Sequence, residues 1–370
     1  MKKNIRITFI CGSLEPGKDG VGDYVLRLGN ALAEKGLSIS LLALYDAHID
    51  RTVNAILNTT QGINCCRLPR SMAKDARVIA AKNFIEGQNP DWVSLQYVPY
   101  AFHTQGIPFH LPSILKNIVG KSEIHIMLHE SHLGGRLSLK NNFVRVVQIW
   151  VAKRLISLLK PAIIHTSNSW YQSRLRQIGI EAEILGLFGN IPIVEYQHLY
   201  IPWRDKIFTG VYFGIAPPLV DWENFMKSIT KLVGKIAPFK IIFAGNLGPE
   251  GEKFIAYLKS FGTDILADIE HVGIMSAESL SALFQNTDFG ITRVRPHLIG
   301  KSGSTIALLE HGLKLWIPLS VNQAEIAKWI DYRPDQCFHD LINLNNEYEP
   351  YLKEPRIDSI VKELNLLFVD

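Results

Sequence analysis

The chain has 370 residues, 47% hydrophobic and 20% charged, with a formal net charge of +4. That composition excludes a disordered or coiled chain, and the length exceeds a single ordinary core, so two domains are expected. So small a positive charge suits anionic ligands or weak attraction to an anionic membrane surface, and falls well short of the basic stripe of a nucleic-acid binder, so no nucleic-acid partner is expected.

Four cysteines, Cys11, Cys65, Cys66 and Cys337, show no CxxC spacing and suggest a reducing cytoplasm, with membrane association left open. Met1–Arg6 has a basic start, but the apolar run after it breaks at Gly12-Ser13 and reads as a first strand rather than a signal peptide. No apolar run reaches the roughly 20 residues that span a bilayer.

In chain order, Ile5–Gly12 is a β-branched-rich run read as a strand. A glycine-bearing loop follows, with Gly20, Val21, Gly22 and Asp23, and then a helix whose apolar positions Val25, Leu28, Leu32 and Ala33 keep helical spacing up to Gly36. Leu37–Tyr45 is the next strand, which completes a βαβ unit with its ligand end at the strand's carboxyl edge. The loop lacks a strict GxGxxG, so as a dinucleotide signal it is weak. Short strands follow at Asp91–Val98, which contains Tyr97, and at Ile124–Leu128, which ends in His129, Glu130, Ser131 and His132. Residues 143–159 form an apolar helix with Arg145, Lys153 and Arg154; it reads as core, and its basic apolar character also allows a peripheral membrane contact. Pro161 ends it, and Ala162–Thr166 is one more strand. Strands alternating with helices up to about residue 190 give a parallel sheet covered on both faces.

Phe188–Pro192 and Trp203–Lys206 read as an interdomain crossing, after which the pattern restarts. Phe208–Phe213, ending at Gly214, and Lys240–Ala244 are strands, with a helix over Trp222–Val233 between them. A helix over about 250–260, a strand at Ile269–Val272 and a helix at Ser279–Phe284 lead to the apolar run Asp288–Thr292, with a strand at Leu315–Leu319 and a terminal helix at Ile357–Leu367 beyond it. The fold class expected is α/β, with two Rossmann-like domains facing across a cleft. Residues 1–195 form the acceptor-side domain, 196–345 the nucleotide-sugar domain, and 346–370 a C-terminal helix packing back toward the first.

After Asp288–Thr292 comes a basic loop, Arg293 to Gly303, and from about Ser304 the pattern turns helical until Gly312. A strand feeding such a loop at a helix N-terminus suits phosphate: free N–H groups and the positive end of the helix dipole face the anion, Lys301 adds a charge, and Gly300 and Gly303 allow close approach. Glu310, two turns on, is expected to face the same cleft. Gly300-Lys301-Ser302 matches the tail of a Walker A motif, but Arg295 stands where that motif needs its first glycine, so a P-loop is excluded. His125, His129, His132 and Glu130 do not match HExxH, and no metal site is expected. Neither Ser302 nor Ser304 sits in a GxSxG elbow.

With these residues in view, the chain resembles the GT-B glycosyltransferases, and among them the retaining, nucleotide-sugar-dependent family 4. The residues that carry the likeness are Gly20-Val21-Gly22-Asp23-Tyr24 before a helix ending in Glu34-Lys35-Gly36, Asn89-Pro90-Asp91 before Leu95-Gln96-Tyr97, His129-Glu130 at a strand end, and Leu309-Glu310-His311-Gly312. The resemblance implies a hexosyltransferase-like, metal-independent enzyme of polysaccharide biosynthesis. It would move a sugar from a nucleoside diphosphate, UDP or GDP being expected, to a glycan, lipid-linked or small-molecule acceptor without a cofactor. It implies catalytic roles for His129 and for Glu310, the latter on the ribose hydroxyls; a catalytic role for Lys301 is expected from the residues themselves, its charge standing in for the family's usual basic pair. Donor-binding roles fall to Gly20, Val21, Gly22, Gly214, Arg293, Arg295, Ser302, Gly303 and Ser304, and acceptor-binding roles to Asp23, Tyr97, Glu130 and His132. Two departures stand out: Ser302 occupies the place of the family's first glutamate, and Gly214-Ile215-Ala216-Pro217-Pro218 replaces its usual arginine and lysine. A non-catalytic nucleotide- or glycan-binding protein, or a nucleotide-sugar epimerase of the same fold, are the alternatives.

Overall fold

The computed structural model describes residues 4–57, 62–130, 132, 138–194, 207–261, 266–318, 322–339 and 353–369. The chain divides into two compact units, one of residues 1–186 with 357–370 and one of residues 187–356.

In the first unit β1 (Arg6–Cys11) runs into α1 (Gly20–Glu34), and β2 (Ser38–Asp46) returns parallel to β1. β1 is buried from Ile7 onward because both sheet faces are covered, so its residues need not alternate in polarity. A hairpin of β3 (Val53–Leu57) and β4 (Ile63–Pro69) closes one edge antiparallel. The chain continues through α2 (Lys74–Gln88), β5 (Trp92–Tyr97), the short α3 (Pro99–Phe102), α4 (Leu111–Ile118), β6 (Glu123–Leu128), α5 (Leu139–Leu159), β7 (Ile163–Thr166), α6 (Ser169–Gln177) and β8 (Glu183–Ile184). The sheet order is β3-β4-β2-β1-β5-β6-β7-β8, parallel apart from β3. Chain order reverses between β1 and β5, so the crevice at their carboxyl ends is this unit's expected ligand position.

The second unit holds β9 (Thr209–Phe213), α7 (Leu219–Thr230), β10 (Phe239–Ala244), α8 (Gly251–Ser260), β11 (Leu266–Gly273), α9 (Ala277–Gln285) and β12 (Phe289–Ile291). A 3-10 turn at Pro296–Lys301 precedes α10 (Gly303–Glu310), and β13 (Lys314–Trp316), α11 (Gln323–Trp329) and β14 (Cys337–Phe338) follow. The order is β11-β10-β9-β12-β13-β14, all parallel, and it reverses between β9 and β12. Gly210 is required inside this sheet, since a Cβ there would stand 2.5 Å or less from the Phe289 ring.

The division falls at Gly186/Leu187, ahead of the expected boundary at 195, because residues 187–194 pack with the second unit. Ile191 lies in that unit's core, the Asn190 N–H donates to the Gly303 carbonyl at 3.1 Å, and the Val194 N–H donates to Ser281 Oγ at 3.0 Å. Trp203–Lys206, read as part of the crossing, lies outside the described residues. The last helix, α12 (Ile357–Val369), belongs to the first unit. It buries Ile360, Val361, Leu364 and Phe368, and the Trp92 indole N–H donates to the Phe368 carbonyl at 3.2 Å.

His125 and His165 lie on adjacent strands, both buried. Burial holds the His125 ring well below its ordinary range, aided by the His165 and His129 rings, and pushes His165 down to about 4. Both rings are therefore neutral in the folded chain while the unfolded chain titrates near 6.5. Stability is complete above pH 6.5 and falls as pH drops toward 4, because only the unfolded state takes up protons in that window. Urea unfolding at pH 7 and pH 4.5 should show a loss on the order of 2–3 kcal/mol from His165, with a further loss from His125; a midpoint that does not move with pH would refute the neutral assignment.

Candidate functional site

At the reversal of strand order in the second unit, Gly214 follows the end of β9 and Thr292 follows the end of β12, and α10 starts beside both. Gly214 takes φ +117, a left-handed conformation that favours glycine, and a Cβ there would lie 3.5 Å from Ser304 Oγ. Ser302 caps α10: its Oγ accepts the Thr305 N–H at 3.3 Å and lies 2.9 Å from Thr305 Oγ1 and 3.3 Å from Ser304 Oγ. Thr305 Oγ1 lies 3.0 Å from Thr292 Oγ1, which also accepts the Val294 N–H at 3.1 Å. This ladder of hydroxyls ties the helix start to the end of β12. The N–H groups of Gly303 and Ser304, in the first turn of α10, have no intrahelical acceptor, and Lys301 closes the turn just before them.

The structure thus brings Gly214, Ser302, Gly303 and Ser304 to one place, with Lys301 next in the chain. Ser302 is an N-cap, a role that needs no contact with a sugar. Arg293 stands near the buried Tyr212 at the end of β9: burial raises that phenol, and the Arg293 charge partly offsets the rise. Arg295 is exposed.

Glu310, expected to face the same cleft, lies two turns further along the same helix. It is the last residue of α10, roughly 10 Å along the axis from Gly303 at 1.5 Å per residue. Only 2% exposed, it accepts the Arg356 N–H on Oε1 at 3.0 Å, and its Oε2 is close enough to Gly189 that a Cβ there would stand 2.6 Å away. Its carbonyl accepts the Glu354 N–H at 3.0 Å. The carboxylate holds residues 353–356 onto the unit.

In the first unit two amides of the glycine loop are not offered to an anion. The Asp19 carboxylate already accepts the Val21 and Gly22 N–H groups at 2.9 and 2.8 Å. Gly22 is glycine for space, since a Cβ there would meet the Ser13 carbonyl oxygen at 2.6 Å, and Gly20 begins α1 with open space around it. Asp23 accepts the Gly17 N–H at 2.9 Å and so orders the loop; burial raises its carboxyl, a rise that this bond partly offsets. Tyr97 is corrected from acceptor contact to core. It is fully buried, its ring is stacked on Phe102, and burial pushes its phenol far up.

At the carboxyl end of β6 the buried His129 places Nε2 2.9 Å from Gln96 Oε1, with the Tyr24 ring edge-on at 5.1 Å. Glu130 follows, and its charge acts on Arg174, which donates to the His132 carbonyl at 3.3 Å. His132 is buried and pushed down to about 4 by burial, then by the Arg174 and Arg145 charges. His129, Glu130 and His132 therefore do cluster, joined by Gln96 and Tyr24, which stand in two of the motifs quoted above, and by Arg174, which carried no signal in the sequence because its helix meets them only in the fold. Among the described residues no group of three or more His, Cys, Asp or Glu could hold a metal ion.

No protein-family model and no curated protein matches the chain. Solved structures do resemble it. Sucrose-phosphate synthase from Thermosynechococcus elongatus is 13% identical, with 98% of each chain covered and a TM-score of 0.61. The lipopolysaccharide outer core galactosyltransferase WaaB is 13% identical, with 99% of this chain and 97% of that one covered and a TM-score of 0.56. UDP-GlcNAc 2-epimerase from Methanocaldococcus jannaschii is 10% identical, with 99% of this chain and all of that one covered and a TM-score of 0.54. The fold is the two-domain α/β architecture of GT-B proteins, in which both sugar transfer and epimerisation occur.

Replacing Glu310 with alanine leaves the half-buried Arg356 N–H without its acceptor, a cost on the order of 1 kcal/mol. Urea denaturation should register that loss while calorimetric titration finds UDP affinity within about twofold of wild type. Intact stability with lost UDP binding would put the ribose back at Glu310.

Proposed function

We propose that this chain transfers a sugar from a nucleoside diphosphate, UDP or GDP, to a hydroxyl of a glycan, lipid-linked or small-molecule acceptor, with retention of configuration, as family 4 enzymes do. The observation that carries this is the start of α10 at the strand-order reversal, where a neutral serine cap, two amides without intrahelical partners and Lys301 meet Gly214. Such a place receives an anion, and the charge of a departing nucleoside diphosphate grows during transfer, so donors fixed there stabilise the transition state more than the bound substrate. Arg293, two residues past β12 and near Tyr212 of β9, adds positive charge. Within the first unit, His129, Glu130 and His132 with Arg174 form the polar cluster assigned to the acceptor side. The leaving phosphate takes the acceptor proton in a same-face attack that uses no protein nucleophile. The likeness to a sucrose-phosphate synthase and a galactosyltransferase favours transfer; the likeness to a 2-epimerase makes epimerisation the competing outcome.

Release of nucleoside diphosphate from UDP-, GDP- and ADP-sugars, with and without candidate acceptors, decides among the readings. Acceptor-dependent release supports transfer, interconversion of one nucleotide sugar without acceptor means an epimerase, and binding without turnover means a non-catalytic protein. Lys301→Ala should lower turnover on the order of a hundredfold, with a smaller effect on donor affinity. Unchanged kinetics in that variant would place the diphosphate elsewhere.

The acceptor's source is suggested by α5. Phe143, Val146 and Trp150 are 64%, 62% and 51% exposed at helical spacing, and Phe109 lies beside Trp150 with ring centroids 6.0 Å apart. Lys140, Arg145, Lys153 and Arg154 accompany them, and α5 has no acidic residue. Apolar anchors with basic companions suit the surface of an anionic bilayer, where lipid-linked acceptors reside. No helix among the described residues is long and apolar enough to cross a membrane. The protein should sediment with vesicles containing phosphatidylglycerol, less so at high salt or with Phe143→Ser and Trp150→Ser together, and weakly with phosphatidylcholine alone. Equal behaviour on both lipids would remove the membrane from the proposal.

A further inference from the structure

Behind His129 a line of polar side chains crosses the sheet of the first unit. His129 Nε2 lies 2.9 Å from Gln96 Oε1, and Gln96 Nε2 lies 2.8 Å from Ser94 Oγ. Ser94 Oγ lies 2.8 Å from His125 Nδ1, and His125 Nε2 lies 3.1 Å from His165 Nδ1. His165 Nε2 faces the Glu363 carboxylate on α12 at 3.9 Å, too long for a hydrogen bond but within reach of its charge. Strand alternation puts Ser94 and Gln96 on one face, and the register sets Ser94 opposite His125.

We infer that this line is a one-way hydrogen-bond chain, set by Glu363, that fixes His129 with its proton on Nε2 and Nδ1 as the ring's acceptor. The direction follows from the end that cannot donate. A carboxylate only accepts, so the His165 proton belongs on Nε2, facing it. His165 and His125 are neutral, because burial lowers both, so each ring has one N–H and one lone pair. His165 Nδ1 then accepts from His125 Nε2–H, and His125 Nδ1 accepts from the Ser94 hydroxyl. With its hydrogen committed, the Ser94 oxygen accepts from the Gln96 amide nitrogen. That turns the Gln96 oxygen toward His129, and His129 must donate from Nε2. The reverse direction would set the His165 lone pair against the carboxylate. Gln96, Ser94, His125, His165 and Glu363 are thus positioning residues for His129, and Glu363 acts from the last helix of the chain. Any consequence for turnover rests on the transferase reading; the tautomer does not.

Long-range proton–nitrogen correlation spectra of protein labelled with 15N-histidine read each tautomer directly. At pH 7 we expect the Nε2–H pattern for His125, His129 and His165. Ser94→Ala should convert His129 to a mixture of tautomers; Glu363→Ala should do so more weakly, and Glu363→Gln, which keeps an accepting oxygen, should restore the wild-type pattern. Glu363 is half exposed, so its variants keep the fold and decide the matter if Ser94→Ala does not. With an active transferase, Ser94→Ala should lower kcat roughly tenfold and leave the donor KM near wild type. An Nδ1–H His129 in the wild type, or a His129 pattern indifferent to both alanine variants, overturns the chain. Loss of the transferase reading in the sugar panel would leave these spectra as they are.

Discussion

The anchoring of α10 by Thr292, Ser302 and Thr305 is the constraint on which the second unit's chemistry depends. Thr305 Oγ1, 3.0 Å from Thr292 Oγ1 and 2.9 Å from Ser302 Oγ, fixes where the helix begins relative to the end of β12. All of these partners are neutral. A serine cap satisfies one amide of the first turn but does not cancel the partial positive charge there, so the site stays attractive to an anion.

The first unit shows the opposite solution at the helix that follows its first strand. There Asp19 caps α1, and its carboxylate both takes the Val21 and Gly22 amides and neutralises the helix end. Two loops that look alike in sequence, each glycine-bearing and each leading from a strand into a helix, thus differ by one cap residue in what they attract. An anion brought to α1 would displace a charge already in place, whereas at α10 it meets Lys301. Carboxylate against hydroxyl at the cap decides which of the two helix starts stays attractive to an anion.

Much of the architecture was legible because a covered parallel sheet is written as apolar runs ending in glycine or a polar turn. β1, β6, β9 and β10 fall within a residue or two of their expected spans. The edge hairpin β3–β4 and the helix α2 were not legible, and both have physical reasons. β3 is largely exposed, so its pattern lacks a core face, and α2 buries Arg77, whose guanidinium donates to the Pro69, Arg70 and Met72 carbonyls and covers the Tyr45 ring. A charged residue on the buried side erases the apolar period that would announce a helix. At the candidate site the start of α10 could be read because a helix start is local in sequence. The bond from the Arg356 N–H to Glu310 could not, because the two residues are remote in the chain and only the fold brings them together.

The polar line behind His129 was hidden for the same reason in a stronger form. Ser94 and Gln96 show as alternate residues of one strand, yet what they touch depends on pairing β5 with β6 and β6 with β7 in one register. A slip by one residue would turn Ser94, Gln96 and the histidines into the apolar core. Buried polar groups without partners cost on the order of 1–3 kcal/mol each, so the register that joins them is favoured over its neighbours by several such terms at once. The line therefore does two things with one set of bonds: it selects the strand pairing that builds the sheet, and it delivers His129 to the carboxyl edge in a defined orientation.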